Sequence, residues 1–137
     1  MTAEGGAEET HNVTSHEQRG GITAHTVNLG PQPGIKHEVL KENVREGNEY
    51  VNQLRLILGA GYGAKGLRIA VASEYPVRLD LHPGLTLQDA GMMMAKPLDD
   101  SPNRKVVELT PPLMNGYIAT AHTAQASATT FEYELLV

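Results

Sequence analysis

The chain has 137 residues, enough for one ordinary domain with one hydrophobic core and too few for two. A formal net charge of −5, with no basic stretch longer than Asn103-Arg104-Lys105, excludes a phosphate-backbone footprint. Aromatic residues at 4% leave no stacking platform for single strands or sugars, and the absence of cysteine excludes disulfides, thiolate chemistry and cysteine zinc sites.

The opening residues, Met1 to Thr10, are small, polar and acidic, and too poor in apolar side chains to offset the entropy of ordering. A flexible tail is expected over 1–10. It has neither the basic region nor the apolar core of a signal peptide. No apolar run approaches the ~20 residues that span a bilayer. The expectation is a soluble, cytoplasmic protein with no membrane span.

Residues 11–29 have a different character. Asn12-Val13-Thr14-Ser15 is β-prone, Gly20-Gly21 reads as a turn, and Ile22-Thr23-Ala24-His25-Thr26-Val27-Asn28-Leu29 is rich in strand formers. The pattern predicts a Gly/Thr-rich β-hairpin. With so few large apolar side chains such a hairpin is marginal alone and needs a partner: the main domain, another copy of itself, or a segment of another chain. Gly30-Pro31-Gln32-Pro33-Gly34 then reads as a linker, and a domain boundary is expected over 30–34.

From 35 to 137 the chain alternates. Ile35 to Arg45 fits either a helix face or parts of a strand. Beyond it, Tyr50, Leu54, Leu56 and Leu58 share one parity against Gln53 and Arg55. Leu67, Ile69 and Val71 alternate with Arg68 and two alanines. Tyr75, Val77, Leu79 and Leu81 alternate with Arg78, Asp80 and His82, and Phe131, Tyr133, Leu135 and Val137 with Glu132 and Glu134. Period two marks half-buried strands. Shorter candidates lie at Lys105 to Leu109 and Gly116 to Thr123, and turns at Gly59 to Gly66, His82-Pro83-Gly84, Asp99-Asp100-Ser101-Pro102 and Pro111-Pro112. About seven strands in this span predict an all-β fold, an immunoglobulin- or fibronectin-like antiparallel β-sandwich, with a partly open barrel as the alternative.

The run Asn12-Val13-Thr14-Ser15 … Gln18 … Gly20-Gly21-Ile22-Thr23-Ala24 resembles an N-terminal motif of uncharacterised bacterial proteins. The region from Val39 to Val137 resembles the immunoglobulin-like domains that accompany it. The resemblance implies an accessory or interaction module and carries no catalytic residues.

Several motifs fail when their context is checked. Gly61-Tyr62-Gly63-Ala64-Lys65-Gly66 matches G-x-G-x-x-G with Asp80 downstream, but a dinucleotide site needs the last glycine to open a helix. Here it opens Leu67-Arg68-Ile69-Ala70-Val71, which alternates as a strand. A P-loop fails because Lys65 precedes the last glycine. His11, His16, His25, His37, His82 and His122 show no H-x-H, H-x-x-x-H or H-E-x-x-H spacing; only His16 and His25 are placed to approach, across the hairpin. Glu8-Glu9 and Asp99-Asp100 are adjacent carboxylates, the latter read as a turn, while Glu132 and Glu134 share the outward face of a strand. No G-x-S-x-G is present, and Asn12-Val13-Thr14 is a chance-level sequon without a secretion signal.

No catalytic, cofactor-binding or metal-binding residue is therefore assigned, and no cofactor is expected. The functional expectation is a non-catalytic interaction or assembly module. Its contact residues are Ile22, Thr23, Ala24, Thr26 and Val27 of the hairpin together with Met92, Met93 and Met94, an adaptable methionine run. The expected partner is a protein or a second copy, through the N-terminal strands. A small-molecule or carbohydrate-binding domain using the loops Gly59 to Gly66 and Gly84 to Asp89 is the second reading, and a hydrolase with an unrecognised site the third.

Overall fold

A computed structural model describes residues 13–17, 23–29, 34–41, 43–58, 64–88, 91 and 93–137. Eleven strands form in chain order: β1 (Val13–Glu17), β2 (Thr23–Leu29), β3 (Lys36–Leu40), β4 (Val44–Glu46), β5 (Glu49–Leu58) and β6 (Gly66–Ser73). They are followed by β7 (Val77–Pro83), β8 (Ala95–Ser101), β9 (Arg104–Leu109), β10 (Gly116–Thr123) and β11 (Thr129–Leu136). Two sheets result. One runs β1-β2-β5-β10-β7, with β4 also on β5, and the other runs β3-β11-β6-β9-β8. The expected all-β sandwich is present, and among the described residues no helix is long and apolar enough to cross a membrane.

Alternation explains the stacking. In β11, Thr129, Phe131, Tyr133 and Leu135 are buried while Thr130, Glu132, Glu134 and Leu136 are not. The buried set meets Leu67, Ile69 and Val71 of β6, Leu54 and Leu56 of β5, and Tyr117, Ala119 and Ala121 of β10 in one core cluster. Burying a Leu, Ile or Phe side chain contributes about 1.5–3 kcal/mol, so this inter-sheet layer carries most of the stabilisation. From β5 to β7, and from β9 to β11, successive strands change sheets.

Two sequence expectations are corrected, the strand count and the turn placed at Asp99 to Ser101. Ile35 to Arg45, open between helix and strand from the sequence, is two short strands, β3 and β4, separated by a crossing from one sheet to the other. Nine strands, β3 to β11, occupy the region where about seven were expected. The excess comes from β4 and from β8, whose Ala95-Lys96-Pro97-Leu98 has no alternation and whose Asp99 to Ser101 reads as a turn; the turn itself is at Pro102 and Asn103. The hairpin expected over 11–29 is present as β1 and β2, paired antiparallel from Val13↔Val27 to Glu17↔Thr23, and β2 also joins the main sandwich. Strand β2 pairs parallel with β5 from Ala24↔Gln53 to Leu29↔Leu58, and Val27 at 0% exposure and Leu29 belong to the core. Its few apolar residues are enough because the sandwich supplies the rest of the apolar face. Of the expected linker only Gly34 lies among the described residues, and the tail at 1–10 lies outside them.

The turn at Gly47 has φ +65°, where a side chain is strained. Two other glycines are fixed by close approach. A Cβ on Gly66 would stand 2.9 Å from Leu109 O, and one on Gly116 would stand 2.5 Å from Leu56 O and overlap the Leu85 side chain. The last glycine of Gly61 to Gly66 therefore opens strand β6 at a place where two backbones nearly touch.

Candidate functional site

The outward faces of both sheets carry polar networks built from residues far apart in sequence. On the first sheet, register places His122 of β10 between Arg78 of β7 and Val51 of β5. His122 Nε2 stands 2.9 Å from Asp80 Oδ2, and Nδ1 3.2 Å from Glu49 Oε1. Arg78 donates from Nη1 to Glu49 Oε2 at 2.7 Å and from Nη2 to Glu49 Oε1 at 3.2 Å, and it reaches Asp80 at 3.4 Å. The bidentate Arg78 bond holds the Glu49 carboxyl below its ordinary range, and the same bond raises the Arg78 guanidinium. Both ring nitrogens of His122 face carboxylates. A general base needs one lone pair aimed at a nucleophile, and the neighbouring Thr120 hydroxyl instead accepts from Gln53 Nε2 at 3.3 Å.

Beside this network lies a row across four strands: Thr26 of β2, Arg55 of β5, Ile118 of β10 and His82 of β7. Ile118 is 1% exposed despite lying on the outward parity. Thr26 Oγ1, Arg55 Nε and His82 Nδ1 are buried without a hydrogen-bond partner among the described residues.

On the second sheet the network is a charge ladder. Arg68 of β6 donates to Glu108 of β9 at 3.0 Å and lies 3.5 Å from Glu134 of β11. Arg104 of β9 reaches Asp99 of β8 at 3.2 Å and Glu132 of β11 at 3.8 Å, and His37 of β3 is 3.3 Å from Glu132. Asp99 also accepts from the Ser101 hydroxyl and amide, which hold its carboxyl low. Ala70 and Val106 between these arms leave a cavity of about 120 Å³ that Ile35 closes on one side. These side chains are largely solvent-facing, so each pair contributes little to stability; together they fix strand register.

The residues expected at an interaction surface divide. Val27 and Thr26 are buried in the chain's own fold, at 0% and 6% exposure, because β2 is an interior strand of its sheet; this corrects their assignment. Thr23 and Ala24 are placed by backbone at the start of β2, and Ile22 and Met92 lie outside the described residues. Met93 is half-buried against the core cluster, and Met94 is 59% exposed. His16 and His25 are not register partners: His16 stands opposite Ala24, and Ser15 opposite His25. Among the described residues no group of three His, Asp or Glu side chains is arranged to hold a metal ion. Glu132 and Glu134 point outward as expected, each engaged by an arginine.

Sequence reading missed Glu49, Arg78, Asp80 and His122. Their only local signal is Arg78-Leu79-Asp80, opposite charges two apart on one strand face. No protein family, curated protein or solved structure matches the chain.

Proposed function

We propose that this chain is a non-catalytic interaction or assembly module that works through open strand edges. The observation that carries the reading is where the polar groups are spent. Glu49, Arg78, Asp80 and His122 on one outward face, and Arg68, Arg104, Asp99, Glu108, Glu132 and Glu134 on the other, are engaged with one another across strands. Apolar side chains remain outside these networks at the rims: Ile35, Val39, Leu87, Met94, Leu98 and Val137. The accessory role implied by the resemblance of Asn12 to Ala24 points the same way. A small-molecule reading has one observation in its favour, the cavity floored by Ala70 and Val106.

The test is a thermal-shift screen of the full chain over sugars, nucleotides and metal ions, with hydrogen exchange at low and high protein concentration. The module reading expects no saturable shift and slowed exchange at an edge strand when a protein partner or further copies are added. A saturable small-molecule shift that disappears in Arg68→Ala would replace it with the cavity reading.

A further inference from the structure

The described edges of the two sheets are unequal. Strand β7 is bracketed by Pro76 and ends at Pro83, and its outward side carries Arg78 and Asp80. Strand β8 contains Pro97, next to a register shift between Pro97 and Asp99. Proline, bulges and charge are the usual means of keeping an edge from pairing. Strand β3 contains neither proline nor bulge. Its one partner among the described residues is β11, and its outward residues Ile35, His37 and Val39 are all more than half exposed.

Its sequence has a two-fold chemical symmetry. Around His37 the order is Ile35, Lys36, His37, Glu38, Val39: apolar, cation, histidine, anion, apolar. In an antiparallel pair, residues directly opposite lie on the same face. Pairing β3 with β3 of a second copy about His37 sets Ile35 opposite Val39 twice on the outward face. It sets Lys36 opposite Glu38 twice on the inward face. Shifting by two residues in one direction sets Glu38 against Glu38, and in the other sets Lys36 against Lys36. Inward-pointing charges on an edge repel an arbitrary strand. Here they pair in one register only, so the same feature that deters other strands selects this one. Lys36 has no ion-pair partner among the described residues, and Glu38 accepts from the Tyr133 hydroxyl at 2.8 Å. His37 keeps its own Glu132 at 3.3 Å in each copy.

We infer that β3 is a self-recognition edge, at which a second copy of this chain adds antiparallel about His37 and makes the β3 sheet continuous through both copies. The inference rests on the assembly reading and deepens it by naming the edge, the register and the partner. A five-residue edge makes a weak, concentration-dependent dimer rather than an obligate one.

The test is sedimentation of the full chain from low to high micromolar concentration, with circular dichroism to confirm folding of each variant. The wild type shifts from monomer toward dimer. Lys36→Glu and Glu38→Lys each weaken the dimer by about tenfold or more, since each change turns two attractive pairs repulsive. An equimolar mixture of the two variants restores a dimer, because every opposed pair is then of opposite charge. Should Glu38→Lys fail to fold through loss of its Tyr133 bond, Val39→Lys at an exposed position gives the same loss, with Leu87→Lys at another exposed position as the neutral control. A wild type monomeric throughout overturns the inference while leaving assembly with a different protein open. A dimer indifferent to Lys36→Glu and Val39→Lys overturns it while leaving self-assembly through another edge.

Discussion

Asn52 of β5 donates from Nδ2 to Thr129 Oγ1 of β11 at 3.1 Å, a buried side-chain bond that joins the two sheets. Both residues are nearly inaccessible, at 4% and 1% exposure. Each partner therefore depends on the other for its hydrogen bonding. Asn52→Ala is expected to cost about 1–3 kcal/mol, because the Thr129 hydroxyl stays buried and loses its donor. The double variant Asn52→Leu with Thr129→Val is expected to cost less than the sum of the singles. Urea unfolding of the four proteins measures this, and strict additivity would show that the bond does not couple the sheets.

Thr26 is the opposite case, a buried hydroxyl with no hydrogen-bond partner among the described residues. Thr26→Val keeps the shape and removes the desolvation penalty, so stability should rise by about 1 kcal/mol. A loss of stability in thermal or urea unfolding would mean that the hydroxyl is bonded in solution.

Glu49 governs part of the acid limb. Its carboxyl is held low first by the Arg78 bond, with the Arg78 and His122 charges adding to it. A group depressed on folding contributes stability above its unfolded value, and that contribution is lost as pH falls through the folded value. The relevant window therefore lies below about pH 4.3. Glu49→Gln should flatten the fall of the urea midpoint in that window while leaving a remainder, since Asp99 is depressed in the same sense by Ser101 and Arg104. An unchanged acid slope would remove Glu49 from the account.

Gly116 meets Leu85 on one side and the Leu56 carbonyl on the other. Gly116→Ala should cost about 1–3 kcal/mol through overpacking. Adding Leu85→Ala relieves the side-chain clash but not the backbone one, so rescue should be partial. Full rescue in thermal unfolding would place all of the strain on Leu85.

The strands that were legible in advance are those with one clean face: β5, β6, β7 and β11 alternate because one side meets the core and the other meets water. Strand β8 was illegible because it is an edge with all but one of its residues exposed, so nothing imposes a period on it. Strand β4 is three residues long, too short to show a period. The polar networks were illegible for a different reason. Glu49, Arg78 and His122 are separated by whole strands, and only the pairing of β10 with both β5 and β7 brings them together.

The sequence alone determined that the chain is all-β, where its core strands run, and that G-x-G-x-x-G opens no helix, because alternation and turn chemistry are local properties. Tertiary structure alone decided that β2 lies parallel beside β5 with Val27 in the core, and which acids meet which arginines. It also decided which strands stand at the sheet edges among the described residues. Sheet order and register follow from long-range pairing, and a strand's own residues carry its faces but not the identity of its neighbours.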